Sequence, residues 1–163
     1  MNLKKSKFIG AFIIFIMCFP FHFIYKWWPN TIFKILFPIN ESIWEHMKLL
    51  FVPFLIYTLI EYYFISKKQN NICLQLFLVP VIGIITYLSI YLPIYNIIGE
   101  NMLISISLLL IVILFEQFIS YKLAIKEEIK YQKIIGIVGL FITFFTFIYL
   151  TYNPLNYYIF IPN

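Results

Sequence analysis

The chain has 163 residues, of which 63% are hydrophobic and 12% charged, with a mean hydropathy of +0.91. Those values exclude an ordinary soluble globular domain and place the chain in a bilayer. Its net charge of +5 comes from twelve lysines that flank the apolar stretches, so nucleic acid is not expected as a partner.

Lys4, Lys5 and Lys7 precede a first expected span over about 8–25. No small-x-small cleavage site follows, so this segment reads as an uncleaved helix. It ends at Lys26-Trp27-Trp28-Pro29, where tandem Trp fits an interfacial belt. Between Pro29 and Pro38 the segment Thr31–Phe37 is too short to span and apolar enough to lie in the interface or dip back in. Further spans are expected over about 41–65, 72–94, 101–121 and 134–152, each long enough at about 1.5 Å per residue to cross about 30 Å of hydrocarbon. Kinks are expected near Pro53 and Pro80. Cys18 and Cys73 have no metal or disulfide spacing and read as small apolar fillers.

With a cytoplasmic N-terminus, nine lysines fall inside and three (Lys26, Lys34, Lys48) outside, which is a positive-inside bias. The expected architecture is therefore all-α: an integral membrane helix bundle of about five transmembrane helices forming one domain over 1–163. Its N-terminus is cytoplasmic, its C-terminus is outside, and it is multi-pass in the cell membrane.

The second span opens with Asn40-Glu41-Ser42-Ile43-Trp44-Glu45-His46-Met47-Lys48. Ionisable groups this dense at the mouth of a membrane helix are costly unless they bind or cap something. His22, near the outer end of the first span, falls at the same depth. Imidazole with carboxylate suits a divalent metal such as zinc, iron or manganese, so His22, Glu45 and His46 are candidate metal ligands and Glu41 a further ligand or general base. The spacing matches no zinc motif such as H-E-x-x-H. On a continuous helix Glu41, Glu45 and Lys48 share one face and His46 points a quarter turn away. The competing reading is structural: Ser42-x-x-Glu45 is a capping box, and Glu45 can pair with Lys48 at i, i+3.

A second polar level is expected about 22 Å further along the helix, where Glu61 and Glu116 could share a proton or cation with Lys122 or Lys67, or else snorkel to the interface. Tyr87, Tyr91 and Tyr95 recur on one face of the third span as a packing stripe or a pocket lining. Gly136 and Gly139 are three apart, so they do not make a small-xxx-small dimerisation face.

The stretch Pro38-Ile39-Asn40-Glu41-Ser42-Ile43-Trp44-Glu45-His46-Met47-Lys48, preceded by an aromatic-rich helix bearing His22, resembles a family of small uncharacterised multi-pass membrane proteins of low-GC Gram-positive bacteria. The resemblance implies the span layout and supplies no activity. It also implies a proline-rich outer tail, to which Asn153-Pro154-Leu155-Asn156-Tyr157-Tyr158 corresponds loosely.

Three functional readings follow. In the first, the protein binds or translocates an ion or small solute through an outer Glu/His site, with Glu61 and Glu116 deeper in. The second is a membrane-embedded metal-dependent hydrolase, and the third an accessory subunit docking another membrane protein. Whether the chain is an enzyme is left open by its residues.

Overall fold

The computed structural model describes residues 2–65 and 69–162. Every long element is helical. Helix α1 covers Leu3–Trp27, α2 Thr31–Leu36, α3 Ile43–His46, α4 Lys48–Ile60, α5 Ile72–Ile98, α6 Met102–Ile125 and α7 Gln132–Tyr152. A π-helical turn, Glu61–Ile65, continues α4, and a 3-10 turn, Tyr158–Phe160, closes the tail. Among the described residues, five helical stretches are long and apolar enough to cross a membrane: α1, α3 to α4 with its π-turn as far as Phe64, α5, α6 and α7.

Helices α1, α4, α5 and α6 pack in a closed ring, α4 against α1, α1 against α6, α6 against α5 and α5 against α4, while α7 lies on α5 and touches α2. The second span is the central one, with 67% of its apolar window buried against 22% for the first and last spans. Leu50, Phe51 and Phe54 of α4 are fully buried, and Phe51 meets the rings of Phe144 and Phe147 on α7. The exposed apolar residues of α1, α6 and α7, such as Ile16, Phe118 and Phe145, face outward as lipid-facing side chains do.

The connector forms the short helix α2, capped by Asn30, whose Oδ1 accepts from Phe33 N at 2.9 Å. Main-chain carbonyls of the connector then serve the site described below. Tyr87, Tyr91 and Tyr95 pack on one another, and Tyr95 stacks on Tyr158 of the tail, so the stripe is packing.

At the opposite end, Asn71 adopts φ 55° and clamps the end of α6. Its amide donates to the carbonyls of Leu123 and Glu127, and its Oδ1 accepts from Ile129 N at 2.7 Å. Asn tolerates this left-handed geometry better than most residues.

Gly136 and Gly139, dismissed above as a dimer face, seat α7 on α5 within the chain. A methyl at Gly136 would overlap the main chain of Cys73, whereas one at Gly139 would meet the ring of Phe77. A ring can turn aside and a helix backbone cannot. Gly136→Ala is therefore expected to cost about 1–3 kcal/mol and to lower the thermal unfolding midpoint in detergent more than Gly139→Ala. Equal losses would contradict this packing.

Candidate functional site

The polar stretch folds differently from a continuous helix. Ser42 is the N-cap of α3, its Oγ accepting from Glu45 N at 3.3 Å, and Ser42 N donates to Asn40 Oδ1 at 3.0 Å. Only half of the expected capping box forms, because the Glu45 carboxylate reaches Ile39 N at 3.0 Å. Glu41 lies before the helix, so a helical wheel drawn through it misplaces its side chain.

That displacement sorts the polar residues into two groups. In the first, Glu45 and Lys48 form a buried ion pair, Nζ to Oε2 at 2.8 Å, with both side chains nearly inaccessible. The other Glu45 oxygen accepts from Thr151 Oγ1 of α7 at 2.9 Å, and Lys48 Nζ also donates to the carbonyl of Lys34 at 3.0 Å. Both charges are matched by hydrogen bonds, as a buried pair requires. Connector, α3, α4 and α7 meet at this point.

The second group is His22, Glu41 and His46. Glu41 Oε1 lies 3.5 Å from His22 Nε2 and its Oε2 lies 3.4 Å from His46 Nε2. The two imidazoles stack, 5.0 Å between centroids at 21°. One ligand atom from each residue lies within 4.8 Å of the others. His46 Nδ1 is 2.8 Å from the carbonyl oxygen of Ser42. A carbonyl only accepts, so Nδ1 carries the proton and the lone pair of the neutral ring sits on Nε2, facing Glu41. Such a partner on the far ring nitrogen is the usual way a metal-ligating His is oriented.

At bond lengths of about 2.0–2.2 Å, ligand atoms on a tetrahedral ion lie about 3.3–3.6 Å apart, and the two imidazole–carboxylate separations, one to each Glu41 oxygen, fall in that range. Glu41 is largely exposed and both histidines are partly so, which leaves an approach from outside the bundle. Beside the trio opens a cleft of about 310 Å³, lined among others by His22, Glu41, Lys26, Asn40 and Tyr25.

Of the expected metal set, His22 and His46 therefore come together with Glu41, while both oxygens of Glu45 are engaged by Lys48, Ile39 and Thr151.

The deeper acids are both fully buried, so neither snorkels. Glu61 pairs with Lys7 of α1 at 2.5 Å and accepts from Gln69 at 3.2 Å. Lys7 also donates to Ser120 Oγ of α6 at 2.7 Å, and Ser120 donates to Gln75 of α5 at 2.8 Å. Glu116 has no partner among the described residues. Lys122 lies over the ring of Phe118, and Lys67 is outside the described residues. Lys7 is the residue that sequence reasoning missed, since it was counted only as a topogenic cation. The signal was available: in an up-and-down bundle the start of α1 and the end of α4 share a depth, and an acid within a span needs a cation.

Together the five spans and the polar end define a multi-pass integral membrane helix bundle. The chain belongs to a family of unknown function, DUF6512, whose model matches residues 1–162. No curated protein and no solved structure matches it.

Lys48→Met leaves Glu45 as an uncompensated buried charge and is expected to cost about 3–5 kcal/mol, read as a loss of folded protein in detergent. The double variant Glu45→Gln, Lys48→Met should recover most of that loss. A double variant no better than Lys48→Met would contradict the pairing.

Proposed function

We propose that the protein binds a divalent transition-metal ion at the outer end of the bundle through His22 Nε2, His46 Nε2 and the Glu41 carboxylate. In this reading it lies in the cell membrane with its N-terminus in the cytoplasm. The lysine asymmetry supports that orientation, since Lys4, Lys5, Lys7, Lys122 and Lys126 gather at the end opposite the histidines. The observation that carries the proposal is the Ser42 carbonyl holding His46 Nδ1, which aims the Nε2 lone pair at a carboxylate and a second imidazole.

Ion binding is favoured over hydrolysis. A metal-dependent hydrolase of the kind considered uses a carboxylate beside the ion as general base. Here Glu41 is itself a ligand and Glu45 is held by Lys48. Continuous passage of the ion through two acidic levels is also disfavoured, because Glu61 is already neutralised by Lys7.

The test is the metal content of the purified full chain after equilibration with zinc and removal of the excess. About one equivalent is expected for wild type. His22→Ala, Glu41→Ala and His46→Ala should each lose it, while the double variant Glu45→Gln, Lys48→Met should keep it. Acidification should release the ion, because protons compete for the imidazole lone pairs. Retention of zinc in folded His46→Ala, or its absence from wild type, would overturn the proposal.

A further inference from the structure

Glu116 belongs to neither polar group. At 1.5 Å per residue it lies about 21 Å from one end of α6 and about 14 Å from the other, so it sits well inside the span. It is fully buried, and among the described residues neither carboxyl oxygen has a hydrogen-bond partner or a counter-ion. The site is nevertheless shaped for it. On α5 the facing residue is Gly83, where even a methyl group would overlap Glu116 Oε1, so the missing side chain there gives the carboxyl its room. Gln117, next along α6, is likewise buried with its amide unpartnered.

Among the described residues, the neighbouring helices offer no free compensating charge. On α1, Cys18 is within electrostatic range, but its Sγ is directed at the carbonyls of Ile14 and Leu49. One helical turn along α6, Ser120 accepts from Lys7, whose charge is matched by Glu61 of the π-turn. Tyr57 of α4 donates to the Ser6 carbonyl, and Tyr87 of α5 packs with its ring tilted against Tyr91. A bare carboxylate in this setting would be an isolated buried charge, which proteins avoid by pairing it or by binding a cation. A hard cation such as calcium or magnesium needs about six oxygen ligands, and no charged side chain among the described residues is free to join the carboxyl in holding one. A proton needs only one.

We propose that Glu116 is an intramembrane proton-binding site, a carboxylic acid lodged in the space that Gly83 leaves between α5 and α6. It is independent of the outer metal site and uses none of its residues.

The test is infrared spectroscopy of the full chain in lipid, wild type minus Glu116→Gln. The expected result is a carboxylic-acid C=O stretch in wild type that shifts in deuterated water and is absent from the variant. A difference spectrum with only carboxylate stretches would overturn the proposal. Should Glu116→Gln fail to fold, wild type grown with carbon-13 glutamate gives the same reading without substitution. Its seven acids are all glutamate, so a labelled carboxylic-acid stretch is expected, and Gly83→Ala, which crowds the group, should shift it. Absence of any labelled carboxylic-acid stretch would overturn the proposal.

Discussion

A charge inside a helix bundle that faces lipid has no water to fall back on, and the rest of this structure is arranged around that constraint. Among the described residues, two lysine–glutamate pairs are withdrawn from solvent, one at each end of the central span. Each lies where several elements meet: Lys48 and Glu45 gather the connector, α3 and α7, while Lys7 and Glu61 gather α1, the π-turn, α5 and α6. In a membrane, where lipid tails are as apolar as leucine, the apolar side chains supply little preference for one helix neighbour over another. Matched charges supply that preference, because a wrong arrangement leaves an ion unpaired.

The same pairing prepares the outer site. Lys48 draws Glu45 into the bundle, so Glu41, which stands outside helix α3, is the acid left beside His22 and His46. The N-capped start of α3 fixes Ser42, and the Ser42 carbonyl then fixes His46. The arrangement of Glu41 and His46 thus rests on short-range backbone contacts, with a buried ion pair behind them. Two of the three clustered residues, Glu41 and His46, lie together at the start of one span, and His22 is brought in by the packing of α1 against α4.

Much of the fold was legible in the sequence. Runs of apolar residues between polar breaks, most of them lysine-rich and one of them Gly99-Glu100-Asn101, mark five spans, because span length and hydrophobicity are set by the bilayer. The clustering of His22 with the polar stretch was legible too, since both fall at the same depth of the bundle. The sorting of its two acids was not. A helical wheel assumes that the helix includes Glu41, whereas the capping hydrogen bonds of Asn40 and Ser42 start it two residues later. Depth puts Lys7 near Glu61, but spacing alone does not single it out from the other lysines at that end, because the contact joins residues 54 apart in the chain. Gly83 was likewise silent, since its meaning depends on the side chain opposite.

In the proposed function, two imidazoles and the Glu41 carboxylate share one ion. X-ray absorption at the metal edge of the zinc-loaded full chain in lipid nanodiscs reads that shell directly. The account predicts two imidazole ligands with the remaining positions filled by oxygen, and loss of one imidazole in His22→Ala. A shell of oxygen alone, or one unchanged in that variant, would contradict it.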